Sequence, residues 1–250
     1  MAMFRNNLII FKKKFARNFR DYGFFVCLKK TIFYFAKPIF EKKHMILFKV
    51  DLNNIDGKEL YQSNLDYKFV ESKDTYIINQ IEEMEEWLAG KLESIENKKL
   101  CVVALKNGKV LGFYLISLSE IYLPSLYIKV LLKNDEAFSE QITVNKEYRK
   151  KGLATELRFI AYAELRKRSI NTIYLTTLID NIAAMRSIEK VGGKRIGQLI
   201  YRNVFHSKQL CLIKKSGQKI FIETKEDSRL FAKNNEKYHF ITDTFNFDIN

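Results

Sequence analysis

Proline is almost missing from these 250 residues, with two in the whole chain, and glycine is sparse at ten. Collagen-like, linker-like and low-complexity architectures need one or both in quantity and are excluded. The three cysteines, Cys27, Cys101 and Cys211, form no CxxC pair and cannot all pair with one another. Free thiols in a cytoplasmic protein are the simplest reading. The three histidines, His44, His206 and His239, are scattered without metal-ligand spacing, so no metal is expected. No stretch near twenty residues is free of charge, which argues against a membrane-spanning helix. The apolar N-terminal run is broken by Lys29-Lys30 and no small-residue cleavage site follows, unlike a secretory signal.

What the chain does have is apolar content and positive charge. Hydrophobic residues make up 47%, enough for a full core. The formal net charge is +14, and it is unevenly spread. Between Arg5 and Lys43 eleven Lys and Arg face only Asp21 and Glu41, a net +9 for that segment. Phe4, Leu8, Phe11, Phe15 and Phe19 recur at helical spacing, and a second stripe of Phe25, Leu28, Ile32 and Phe35 ends before Pro38. A basic, aromatic, amphipathic arm of this kind suits packing on the main domain or on a second subunit, as in a homodimer. It equally suits peripheral contact of residues 1–43 with an anionic membrane. Nucleic acid fits least, because the aromatics follow helical rather than base-stacking spacing. The expected location is the cytoplasm, on the inner face of the membrane if the arm takes the membrane role.

A polar stretch over 52–65 with Asn53-Asn54 and Asp56-Gly57 reads as a boundary. It divides the chain into an arm and linker (1–60, including a short strand over 45–51), a main domain (61–216) and a C-terminal extension (217–250). Within the main domain, strand Tyr67–Glu71 precedes a helix over 74–94, with Asp74 as its cap and Ile77, Ile78, Ile81, Met84, Trp87 and Leu88 as its apolar stripe. Asn107-Gly108 between two apolar runs, 99–105 and 110–117, signals a β-hairpin. Residues 120–135 resist assignment. A strand over 138–144 then leads through a turn into a helix from about Thr155 to Arg168. Strand 171–177, a helix capped by Asp180-Asn181 and closed by Gly192-Gly193, and β-type runs 195–201 and 210–214 complete the series.

The turn between strand and helix, Arg149-Lys150-Lys151-Gly152-Leu153-Ala154, has the chemistry of an anion cradle. The first N–H groups of a helix lack intrahelical partners, and the helix dipole adds partial positive charge there. Gly152 allows close backbone approach and Ala154 keeps the helix start uncrowded.

Two segments carry a resemblance. Arg149 to Ala154 resembles the R/Q-x-x-G-x-G/A pyrophosphate loop of the GNAT superfamily of acyl-CoA-dependent N-acetyltransferases. Asn181 to Gly192 resembles the second motif of that superfamily, with the Asn, the Ala three residues later and the Glu-Lys-x-Gly ending all present. The resemblance spans about 150 residues and implies an α/β (α+β) fold: a mixed, largely antiparallel twisted sheet flanked by helices. It implies acetyl-CoA as co-substrate and a primary amine as acceptor, with direct attack in a ternary complex. The acceptor could be an amino sugar or an envelope-glycan precursor. The implied donor-binding residues are Ile142, Val144, Arg149, Lys150, Lys151, Gly152, Leu153, Ala154, Thr155 and Asn181. Asn181 also reads as a simple cap, and Lys150 and Lys151 as plain surface charge. Many relatives have a Tyr seven residues after the motif Asn to protonate the leaving thiolate; here Ile188 stands there, so Ser187, Tyr201 or water would serve. Phe normally follows the last motif Gly, and here Gly193 does. Glu140 and Glu136 are the candidate general bases. Two other readings stay open: a catalytically inactive acyl-CoA-binding sensor or scaffold, and a nucleic-acid-associated acetyltransferase.

Overall fold

The computed structural model describes residues 40–55, 65–90, 92, 98–123, 128–204, 207–214, 217 and 219–223. The helical-arm reading of residues 1–39 and all of the extension after 223 lie outside them. In chain order the elements are β1 (Phe40–Asp51), β2 (Asp66–Phe69), α1 (Thr75–Met84), β3 (Lys99–Lys106), β4 (Lys109–Ser117), β5 (Glu120–Leu123), β6 (Ile128–Leu131), β7 (Glu136–Val144), α2 (Leu153–Lys167), β8 (Thr172–Leu178), α3 (Ile182–Lys190), β9 (Lys194–Val204), β10 (Ser207–Lys214) and β11 (Lys219–Glu223).

Nine strands form one sheet in the order β11-β10-β9-β1-β8-β7-β4-β3-β2, while β5 and β6 form a separate hairpin in the stretch 120–135. Every neighbouring pair in the large sheet is antiparallel except β7 with β8. The expected mixed, largely antiparallel α/β sheet is therefore what forms. The Asn107-Gly108 hairpin is present too, with both residues at positive φ (52° and 74°), as a tight two-residue hairpin turn needs.

Two expectations are corrected at the edges of the domain. The strand assigned to the arm and linker is longer than 45–51 and lies inside the sheet, hydrogen-bonded to β8 on one side and β9 on the other. Its sequence alternates poorly because a strand flanked on both sides and covered on both faces buries consecutive residues: Ile46, Leu47 and Phe48 are all in the core. At the other end, β11 extends the sheet past residue 216, into the segment read as an extension.

The helix read over 74–94 is also shorter. It ends at Met84, Glu85 leaves helical geometry at φ −140°, and a 3₁₀ turn covers Glu86–Leu88. Asp74 occupies the N-cap position but does not cap with its side chain. Its carboxylate accepts instead from Lys68 Nζ at 2.6 Å and from the Glu71 N–H at 3.0 Å.

The sheet is covered on both faces. On one, α2 and α3 pack over a cluster including Val102, Tyr114, Ile116, Leu157, Tyr162, Met185 and Ile188. On the other, α1 packs over Cys101, Val103, Phe113 and Leu115. Further along the sheet a third cluster gathers Leu47, Phe138, Tyr174, Leu199, Tyr201 and Leu212, joined by Ile121 of β5. Cys101, in the cluster under α1, is wholly buried; desolvation, with help from the nearby Glu140 charge, pushes its thiol up to about 12, so it is an inert core group.

Candidate functional site

The site is made by a split in the sheet. Glu136, Ala137 and Phe138 of β7 pair with Thr172, Ile173 and Tyr174 of β8. Beyond that point β7 pairs only with β4, and β8 only with β1. Two strands that stop sharing a ladder leave a gap between them. The register at the parting is irregular: Ile116 opposes Ser139 and Leu115 opposes Gln141, so Glu140 is an extra residue without a partner. Such a bulge bends the strand and increases its twist. It also resets the alternation, so that Ile142 and Val144 pack on the α2 side.

Where β7 ends, a cleft of about 550 Å³ opens between Ile142 and Val144, the turn 148–152, the first turns of α2, and α3. The turn is shaped by two left-handed residues, Lys150 (φ 64°) and Gly152 (φ 87°). For glycine that conformation costs little, and Gly152 is the N-cap of α2, so no side chain closes the helix end. Arg149 Nε donates to the Val144 carbonyl at 3.0 Å, tying the turn back to the strand. Among the described residues, five cations line the cleft, Arg149, Lys150, Arg158, Arg186 and Lys190, and no Asp or Glu does. Cations around an open helix N-terminus are the arrangement that holds a polyanion such as a pyrophosphate.

Of the residues expected to hold the donor, Ile142, Val144, Arg149, Lys150, Gly152, Leu153, Ala154 and Thr155 all line this cleft. Lys151 does not; its ammonium sits over the Tyr148 ring, 5.2 Å from the centroid. Asn181 does not either. Its side-chain oxygen accepts from the Ala184 N–H at 3.1 Å, which caps α3 and presents Ala183 and Ala184 to the cleft. The small side chains of those alanines leave the helix backbone accessible.

The three residues expected to act in acid–base steps face the other side of the sheet. Glu136 is at the start of β7, roughly 26 Å from Val144 at 3.3 Å per residue. It is buried, and its carboxylate accepts from the Lys133 N–H (3.1 Å) and the Tyr174 hydroxyl (3.2 Å). Tyr174 is itself pushed up by burial and by that carboxylate. This is a structural pair and does not fit a free base. Tyr201 is fully buried in the third core cluster, with Lys43 Nζ 5.8 Å from its ring centroid, and does not reach the cleft. Glu140 is different, because it is the bulged residue at the parting itself. It accepts from the Ser117 hydroxyl and pairs with Lys99 Nζ at 3.1 Å. Nearby on β7, Thr143 Oγ1 donates to Glu85 at 3.1 Å and accepts from Gln141 Nε2 at 2.9 Å.

Sequence reading missed Arg158, Arg186 and Lys190 as cleft residues. Arg158 carried a usable signal: it follows Ala154 by four residues on α2, among Leu157, Phe159 and Ala161, where a cation is out of place. Among the described residues, no three His, Cys, Asp or Glu are grouped to hold a metal, and no helix is long and apolar enough to cross a membrane.

Several solved structures share features of this architecture. An aminoglycoside N-acetyltransferase, AAC(6')-Iy in complex with CoA, is 16% identical, with a TM-score of 0.43 over 52% of this chain and 92% of that one. A GCN5-related glucosamine N-acetyltransferase region from a fungal multi-domain β-N-acetylglucosaminidase is 14% identical, with a TM-score of 0.49 over 70% and 22%. An aminoglycoside acetyltransferase from an uncultured soil metagenomic sample, in complex with sisomicin, is 11% identical, with a TM-score of 0.41 over 51% and 86%. None is similar enough to bring its acceptor to this chain. No curated protein matches it. The profile of the acetyltransferase (GNAT) family matches residues 43–193, more than half of the chain, from within β1 to just past α3. By that match, the chain belongs to the acetyltransferase (GNAT) family.

Proposed function

We propose that this protein is an acyl-CoA-dependent N-acyltransferase that uses acetyl-CoA and acylates a primary amine by direct attack. The observation that carries the reading is the cleft at the parting of β7 and β8, which among the described residues has five cations, no carboxylate and an uncapped helix start. The donor supplies an activated acyl group as a thioester. The N–H groups around Lys150 to Thr155, with Arg149 and Lys150, suit its pyrophosphate. Ile142 and Val144, on the part of β7 that β8 leaves unpaired, suit a strand-like pantetheine chain, and backbone N–H groups of that segment suit the carbonyl oxygen as charge develops on it. The gap in the sheet gives an amine access from the α1 face, where Glu140 at the bulge is the candidate to accept its proton. Among acceptors, amino sugars and envelope-glycan precursors fit an acylated amine, and a peripheral membrane position would follow from the basic arm over residues 1–43.

The test is calorimetry with acetyl-CoA, followed by thiol release across a panel of amines. Acetyl-CoA at about a hundred times its Kd should stabilise the fold by about 2.7 kcal/mol, read as a raised urea midpoint. Charge reversal at Lys150 should weaken binding, and so should added salt. Absence of binding would sink the reading, while binding without release on any amine would favour a sensor.

A further inference from the structure

Arg158 is the anomalous residue of the cleft. It projects from the apolar face of α2 and is only 2% exposed. One guanidinium nitrogen, Nη1, donates to Ser187 Oγ on α3 and, at 3.4 Å, to the Ala154 carbonyl. Its Nε has no acceptor among the described residues. Among the described residues no carboxylate lies within ion-pair distance. A guanidinium stays protonated even when buried, so this is a buried charge without a counter-ion, a costly arrangement. The Tyr114 ring lies 5.8 Å away, a cation–π contact, and the Tyr114 hydroxyl interacts with Arg158 and with the Tyr162 hydroxyl. Burial raises both tyrosines above their ordinary range, so neither supplies an anion.

The missing anion must therefore come from the cleft. The pyrophosphate is already matched by the start of α2. Arg158 lies one helical turn further in, on the same face as Ala154, about 6 Å along the axis at 1.5 Å per residue. Thioester aminolysis develops negative charge twice, first on the carbonyl oxygen, which the N–H groups of β7 suit, and then on the departing sulfur, which those groups do not face. Resting on the acyl-CoA reading of the cleft, we propose that Arg158, together with the Ser187 hydroxyl it orients, holds the coenzyme thiolate as it leaves.

The amine nitrogen bonds to the carbonyl carbon, and its surplus proton passes to water or a carboxylate. The C–S bond then breaks with its electron pair going to sulfur. The thiolate rests against the guanidinium until it takes a proton from solvent on release. Arginine is no proton donor at any working pH and acts here by charge alone. Ser187 Oγ accepts from Arg158, which leaves its own proton to donate, either to Thr155 Oγ1 at 3.3 Å or to the sulfur.

The test needs no acceptor. Free CoA is bound to the full-length protein, its affinity is measured by calorimetry, and the ultraviolet absorbance of its thiolate is followed against pH. The bound thiol should ionise about one to three pH units below the value measured for free CoA in the same buffer. Arg158→Gln should return ionisation to near that free value while CoA still binds. Arg158→Lys should keep part of the shift, and Ser187→Ala should lose less of it than Arg158→Gln. A thiol that ionises alike in wild type and Arg158→Gln, with CoA bound to both, overturns the proposal. So does a wild-type thiol at its free value, which decides the matter even if Arg158→Gln fails to fold. CoA that fails to bind the wild type overturns the donor reading itself, and calorimetry separates that failure from the others.

Discussion

Gly193 has no room for a side chain. A Cβ there would stand 2.4 Å from Ile188 Cγ2 and 2.7 Å from the Ile188 carbonyl oxygen, which already accepts the Gly193 N–H at 3.0 Å. Ile188 is a core residue at 2% exposure. The two departures from the family pattern, Ile where Tyr is usual and Gly where Phe is usual, are therefore one packing solution. The branched Ile188 fills the space that residue 193 would need. Restoring the pattern at one position alone should be costly: Gly193→Phe should destabilise by about 1–3 kcal/mol through overpacking, read as a lower urea midpoint at unchanged slope. A midpoint within error of wild type would show that the end of α3 yields freely.

At the scale of elements, α1 is held at its start by the Asp74 carboxylate. The hydrogen bond from Lys68, then that from the Glu71 N–H, hold its pKa below the ordinary aspartate value. A carboxyl whose folded pKa is depressed stabilises the fold above its unfolded pKa and loses that contribution as pH falls through the folded value. Asp74→Asn should thus be less stable than wild type at neutral pH. The gap should persist down to about pH 4, the ordinary aspartate range, and close below it. Parallel urea titrations across pH would show this, and a gap that stays constant to pH 2 would rule it out. How much of each element was legible depended on local signals. α3 was readable to within a residue because Asn181 caps it and Gly192 ends it at φ 84°. α1 was overread because the stripe of Ile77, Ile81, Met84 and Leu88 continues past Glu85, while the backbone turns there. Between β5 and β6 the sequence offers Pro124-Ser125 but no Asn-Gly type pair, so it marks a break without fixing a hairpin or its register.

At the scale of the molecule, β1, the first strand among the described residues, lies inside the sheet. β1 lies between β8 and β9 and joins the part of the sheet under α2 to the β9–β11 part. A chain cut at the boundary read from composition, starting at residue 61, would lose that strand and leave two inner edges with unpaired backbone groups, which are costly to bury and prone to aggregate. It should show no cooperative urea transition, whereas the full chain should. A cooperative transition in the cut chain would mean that β8 and β9 can close on each other.

The anion cradle was written locally. A strand, a basic turn with Gly152 and a helix start are consecutive, and contiguous residues meet wherever the chain goes, so the sequence by itself determined the anion cradle and the family. The rest depended on distance in three dimensions. Arg158 meets Ser187 only because α2 and α3 pack together. Glu136 falls away from the cleft because it sits at the far end of β7, before the bulge, and Tyr201 because β9 lies beyond β1 and β8. The parting of β7 from β8 exists only because each prefers its other neighbour. Periodicity states that a residue is inward, but only the assembled sheet decides what lies there to meet it.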